Sequence, residues 1–225
     1  MITQTKNTQD KLTPEDAHQI LVEGNERFLK NMKTQRDLQE QVKQTSKGQY
    51  PFAVILSCID SRVPVELIFD LGIGDIFSTR VAGNIINTDI LGSMEYSCKV
   101  AGSRIIVVMG HTKCGAVKAA CENVELGNIT SLLSKIKPAM DIIKSEGIDI
   151  NDSATKEIVA IKNVHVSIER IRQESIILSH MEKVGEIKII GSIYDVSTGK
   201  VDFFESPILS KINNNLLNEE FPSIV

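Results

Sequence analysis

No apolar run in this 225-residue chain approaches the roughly twenty residues that span a bilayer. The polar opening, MITQTKNTQDKLTPEDAHQ, also has no apolar core of the kind a secretory signal needs. The chain as it begins here therefore reads as cytoplasmic, with no membrane partner. Basic residues form no block: 25 Lys and Arg are interspersed with 29 Asp and Glu, for a net charge of -4. With no cationic stripe to neutralise phosphates, nucleic acid is excluded as an expected partner. Cysteine is scarce at four residues, too few for a disulfide framework in a chain of this size, which turns attention to metal or catalytic roles in a reducing compartment. Tryptophan is absent, so no side chain joins an indole N–H to a broad apolar face. Repeats and low-complexity tracts are missing as well.

What is present suits one globular unit. At 42% hydrophobic and 24% charged residues, the chain can bury a full core within a single domain spanning residues 1–225. Thr13 as a cap, Pro14 at the first helical position, and Ala17, Ile20, Leu21, Phe28, Leu29 and Met32 at helical spacing predict an amphipathic helix. The stretch 34–48 is too polar to bury itself, so residues 1–48 read as a helical arm and 49–225 as an α/β core. Three β-rich runs follow, FAVILS (52–57), DIFSTRV (75–81) and RIIVVMG (104–110), and the first and third lack the polar alternation of a half-exposed strand. Helical patterns lie between them, around 64–69 and over 88–100. Two longer helical stretches are expected between Gly127 and Met181, with Pro138 kinking or breaking the first. EIKIIGSIYDV and KVDFFES flank Ser197-Thr198-Gly199 as a hairpin. The sum is an α/β fold: about four parallel strands with an antiparallel edge strand, flanked by helices.

Two clusters carry the chemistry. CIDSR (58–62) closes the first β run and GHTKCG (110–115) closes the third. Ligands of open α/β sheets gather at the carboxyl ends of strands where strand order reverses. If those two strands are neighbours, Cys58, His111 and Cys114 converge. Two thiolates and an imidazole make a zinc site with three protein ligands and a fourth position left open, which is the catalytic arrangement. Singly, each of these residues reads as a core cysteine or a weak H-x-x-C; together, on two strand ends, they favour metal. Cys98, Cys121, His18, His165 and His180 fall within helical patterns and are assigned to packing or surface. LGIGD (71–75) has no third glycine where a dinucleotide fingerprint needs one, since Phe77 stands there.

The paired motifs C-x-D-S-R and H-x-x-C-G, within CIDSRVPVELIFDLGIGDIFSTRVAGNII and GHTKCGAV, resemble the β-class carbonic anhydrases, and the resemblance runs from the arm through the hairpin. It implies one Zn2+ per chain held by Cys58, His111 and Cys114, and a catalytic dyad of Asp60 and Arg62. It further implies a substrate-orienting Gln49, pocket walls at Phe77 and Tyr96, and a backbone amide at Gly115 facing the substrate. The activity so implied is reversible hydration of carbon dioxide to bicarbonate and a proton, by zinc-activated hydroxide that Asp60 orients and Arg62 steadies. Assembly as a homodimer or higher even oligomer, with the arm embracing a neighbouring subunit, is implied too. Ile59 and the Ala82-Gly83 pair depart from more usual residues without touching the metal set. One branch of the family binds bicarbonate at a second site built around a tryptophan, an arginine and a tyrosine, and without tryptophan that triad cannot be assembled here.

Alternatives stay open at this point. Carbonyl sulfide or carbon disulfide could replace carbon dioxide within the same fold. A zinc scaffold or thiol redox sensor without turnover would use the same cysteines. An alcohol dehydrogenase shares the ligand types but needs the nucleotide fingerprint that is missing.

Overall fold

The computed structural model describes residues 3–150 and 152–205, built around a five-stranded sheet. Its strands are β1 (Ala53–Ser57), β2 (Ile76–Arg80), β3 (Ile105–His111), β4 (Lys188–Tyr194) and β5 (Val201–Phe204), in the spatial order β2-β1-β3-β4-β5. The first four run parallel, and β5 closes the far edge antiparallel to β4. Every residue of β1 and β3 is buried, as their unbroken apolar runs require of strands covered on both faces. Alternate side chains feed two layers. Ala53, Ile55, Ile105, Val107, Met109 and Ile190 pack on one side, and Val54, Leu56, Ile106, Val108 and Ile189 on the other. The chain leaves β1 toward β2, then crosses to β3 on β1's other flank, so the strand order reverses between β1 and β3. The crevice of such a sheet opens at their carboxyl ends.

The helices are α1 (Lys6–Lys11), α2 (Pro14–Leu29), α3 (Leu38–Thr45), α4 (Val65–Ile68), α5 (Thr88–Glu95), α6 (Gly115–Cys121), α7 (Gly127–Leu133), α8 (Lys137–Ser145), α9 (Ser153–Glu174) and α10 (Ile176–Lys183). The region read from sequence as two helical stretches is thus four helices. The first stretch is broken rather than kinked, α7 ending at Leu133 shortly before Pro138. The proline stands in the first turn of α8, where its missing N–H has no intrahelical partner to lose. The pattern over 88–100 divides as well, into α5 and a π-helical turn at Tyr96–Val100.

Helix α2 begins as its sequence dictates. Thr13 accepts from the Asp16 amide while the Asp16 carboxylate accepts from the Thr13 amide, a reciprocal capping box with Pro14 at the first helical position. Ala17 and Leu21 are fully buried against the sheet's own core. Gly24 lets the helix backbone approach α4 closely, since a Cβ there would lie 2.0 Å from the Phe69 carbonyl oxygen. Asn25 donates to the carbonyls of Ile68 and Gly199 and accepts from the Val201 amide, so one buried amide ties α2 to α4 and to the hairpin. Further along the arm, Leu29, Met32, Leu38 and Val42 remain exposed.

Candidate metal centre

Cys58 is the first residue past β1 and His111 the last of β3, two strands paired in register Ala53↔Ile105 through Ser57↔Met109. The turn after β3 brings Cys114 to the start of α6. That turn is fixed by the Thr112 amide on the Tyr194 carbonyl and the Lys113 amide on the Glu157 carboxylate, with Lys113 in the left-handed region at φ 55°. The result is a group of three buried donors, the sulfurs of Cys58 and Cys114 and a ring nitrogen of His111, all within 4.8 Å of one another. One ion with metal–ligand bonds of about 2.0–2.3 Å can bridge such a spacing.

The chemistry of the donors fits a cation. The His111 ring is fully buried, and its Nδ1 lies 2.9 Å from the Thr112 carbonyl oxygen. A carbonyl only accepts, so the neutral ring carries its proton on Nδ1 and presents a lone pair at Nε2. Nε2 is buried and has no hydrogen-bond partner, a costly state for a polar atom unless a cation takes the lone pair. The two thiols act as a pair. A hydrogen bond from Cys114 pulls the Cys58 thiol well below its ordinary range, against the opposing effect of burial. The same contact with Cys58, aided by burial, pushes Cys114 far up. Two adjacent thiolates are stable together only with positive charge between them.

Asp60 and Arg62 stand beside this group. The guanidinium grips the carboxylate in a fork, Nε to Oδ1 at 2.9 Å and Nη2 to Oδ2 at 2.8 Å, and the Arg62 amide adds a third bond to Oδ1 at 2.9 Å. These hydrogen bonds from Arg62 hold the Asp60 carboxyl far below the usual carboxylate range, against a smaller effect of burial. Its Oδ2 lies 3.9 Å from His111 Nε2, so an ionised acceptor faces the donor cluster.

The other residues expected at the site are placed differently. Gly115 opens α6 directly after Cys114, and a Cβ built on it would meet nothing within 4 Å. Gln49 is exposed and precedes β1, whereas Cys58 follows it, and the strand between them is about 13 Å long at 3.3 Å per residue. Phe77 pairs in register with Val54, three positions before the end of β2. It meets Tyr96 edge-on, with ring centroids 6.1 Å apart. Both line an open groove of about 630 Å³ between β2 and α5, and none of Cys58, His111 and Cys114 lines it. Within one chain, then, Gln49, Phe77 and Tyr96 do not join the cluster.

Sequence reasoning missed two supports. Arg80, the last residue of β2, donates from Nε to the Cys58 carbonyl at 2.9 Å and from Nη2 to the Asp60 carbonyl at 2.6 Å, bracing the whole CIDSR turn. The Gly83 amide lies 3.4 Å from Cys58 Sγ. These contacts span twenty to twenty-five residues, and no local pattern signals them.

Comparison with known proteins agrees with this geometry. The family model described as Carbonic anhydrase matches residues 53–201, which take in all five donor and dyad residues. The chain is 33% identical over 194 residues to Carbonic anhydrase 2 of Mycobacterium tuberculosis, covering 83% of this chain and 91% of that one. It is 30% identical to a carbonic anhydrase of Synechococcus elongatus, over 80% of this chain and 69% of the relative. Among solved structures, the β-carbonic anhydrase CafA of Aspergillus fumigatus superposes with a TM-score of 0.67 at 28% identity, covering 75% of this chain and 82% of that one. A family match over most of the chain, a shared fold and the Cys-His-Cys group at the sheet's switch point agree: the chain belongs to the carbonic anhydrase family, in its β class.

Proposed function

We propose that the protein catalyses the zinc-dependent, reversible hydration of carbon dioxide to bicarbonate and a proton, with one zinc per chain held by Cys58, His111 and Cys114. The observation that carries the proposal is the unpartnered Nε2 of His111, fully buried, facing two thiols and 3.9 Å from an ionised Asp60. Zinc held there would supply a Lewis acid that lowers the pKa of water to about 7, so that a nucleophile would exist at neutral pH. In the reaction a water-derived oxygen forms a bond to the carbon of carbon dioxide, one C=O π pair moves onto oxygen, and the proton leaves to solvent.

Asp60 contributes selection and aim. Held ionised by Arg62, it accepts a hydrogen bond from a nucleophile that carries a single proton, which turns the oxygen's lone pair toward the substrate, and it repels anions with no proton to give. Arg62 is the orienter, and its further contact with the Lys113 carbonyl, 3.3 Å from Nη2, anchors it to the loop between two donors. The Gly115 amide at the start of α6 is a donor for the product's oxygens. Gln49, Phe77 and Tyr96 serve the site of a second copy: they lie away from their own cluster, and an assembly in which the arm crosses to a neighbour reconciles that placement with their roles. Leu29, Met32, Leu38 and Val42, left exposed along the arm, are the apolar surface such a crossing would cover.

Stopped-flow measurement of carbon dioxide hydration, with carbonyl sulfide and carbon disulfide as parallel substrates, tests the reading. Turnover of carbon dioxide exceeding that of both sulfur compounds is expected. Turnover confined to a sulfur compound would reassign the substrate, and no turnover of any of the three by zinc-loaded protein would leave a scaffold.

A further inference from the structure

Gly83 gives the Cys58 sulfur a hydrogen bond from its amide, and its own conformation is unusual. It sits at φ 70°, ψ 17°, and a Cβ there would lie 2.8 Å from Ile136 Cδ1 and 3.3 Å from the Ala116 Cβ. Only glycine fits, yet glycine is the residue least able to hold its own torsions. The loop is instead gripped from outside, by α9. Asn163 Nδ2 donates to the Gly83 carbonyl at 2.8 Å, Ser167 Oγ to the Asn84 carbonyl at 3.2 Å, and Arg170 Nη1 to the Ile86 carbonyl at 3.0 Å. Positions 163, 167 and 170 follow the helical repeat, so one face of α9 presents a ladder of donors to successive loop carbonyls.

Asn163 is the rung nearest the metal centre, and its surroundings set it apart from ordinary packing. It is 1% exposed, on a helix whose buried positions nearby include the apolar Val159, Ala160 and Val164 and the polar Lys162, His165 and Ser167. Its Oδ1 is buried without a partner. A leucine of similar size would avoid that desolvation, so the side chain is retained for its single donated bond. The assignment of Nδ2 toward Gly83 is forced, because a carbonyl oxygen can only accept.

We propose that Asn163 is a positioning residue for the metal centre: by holding the Gly83 carbonyl it fixes that glycine's torsions and keeps the Gly83 N–H aimed at the Cys58 sulfur. An N–H donor at a ligand sulfur holds that sulfur in place and draws electron density off it. Without the clamp Gly83 rotates and the sulfur loses its donor: the thiolate becomes more electron-rich, and the metal is held less tightly because its ligand is no longer fixed in place.

The inference rests on the metal reading above, and cobalt substitution of the full chain separates the two. The unsubstituted protein should bind one Co2+ with a thiolate-to-cobalt charge-transfer band, and absence of that band would remove the metal reading itself. Asn163→Leu should shift the band to longer wavelength and weaken Zn2+ affinity, measured by chelator competition, by about 10- to 100-fold. Asn163→Ala, which removes the donor without introducing a titratable group, should move the band the same way and supplies the reading if the leucine variant does not fold. Ile171→Val, a core trim on the same helix, should leave the band in place. An unmoved band in the Asn163 variants, or an equal shift in Ile171→Val, would overturn the assignment, because loss of general stability lowers affinity without changing the colour of the thiolate.

Discussion

Asp70→Asn tests how the arm is fastened to its own core. Asp70 is buried, with 3% of its side chain exposed, and it collects Arg27 Nε at 2.6 Å, Arg36 Nη1 at 2.6 Å and Thr34 Oγ1 at 2.8 Å. Arg36 also donates to the Asp70 carbonyl. Burial alone would raise the carboxyl's pKa, but the bonds from Arg27, Arg36 and Thr34 outweigh it and hold it down at about 2. Against an unfolded value of about 3.9, that difference contributes roughly 2–3 kcal/mol at neutral pH. The folded pKa is the depressed one, so this stability is complete above the unfolded value and is lost as pH falls through the folded value. The substitution also leaves Arg36, itself 8% exposed, facing an amide. Breaking a buried pair in this way costs about 3–5 kcal/mol. Urea unfolding at pH 7 should therefore show a loss of about 3–5 kcal/mol, and the gap to the unsubstituted protein should narrow by about half as pH drops from 5 toward 2. A loss below about 1 kcal/mol, the range of an exposed pair, or a gap indifferent to pH, would refute the reasoning.

Asp60→Asn should keep zinc but lower kcat/KM for hydration by about 10- to 150-fold, because an amide presents an N–H where the nucleophile needs an acceptor and one charge-assisted bond of about 1.5–3 kcal/mol is lost; undiminished turnover would make Asp60 a bystander. Deleting residues 1–44 would strip Ala17 and Leu21 from their own core, so assembly is better read from the exposed arm. Met32→Glu combined with Val42→Glu should shift the oligomer toward monomer in light scattering at micromolar concentration, and an unchanged mass would take the arm out of the interface. Initial rates against bicarbonate should show hyperbolic inhibition, since no tryptophan is available to build a second bicarbonate site; a Hill coefficient well above one would show that other residues had built it.

Much of the fold was legible because burial leaves a local mark. β1 and β3 announce themselves as apolar runs without alternation, and Thr13-Pro14 and Gly199, at φ 82°, mark a helix start and a hairpin turn. The donor set was legible for a different reason: C-x-D-S-R and H-x-x-C-G put chemistry-bearing residues at two strand ends, and only the neighbouring of β1 and β3 had to be supplied. What escaped depends on distance along the chain. Whether Pro138 kinks a helix or starts one depends on where the preceding helix stops, and Leu133 ends α7 just short of it. Arg80 and Asn163 act on carbonyls twenty-two and eighty residues away, and neither stands in a pattern that names its target. Phe77 and Tyr96 could be matched to pocket positions, but a motif carries no record that within one chain they line a groove apart from the Cys-His-Cys group.

The central claim is that Cys58, His111 and Cys114 hold a catalytic zinc, and the most direct measurement is zinc content per chain, taken on the same samples as stopped-flow hydration rates. About one zinc per chain is predicted for the unsubstituted protein, with metal and hydration lost together in Cys58→Ser and His111→Ala. Full zinc and full hydration in either variant would contradict the account.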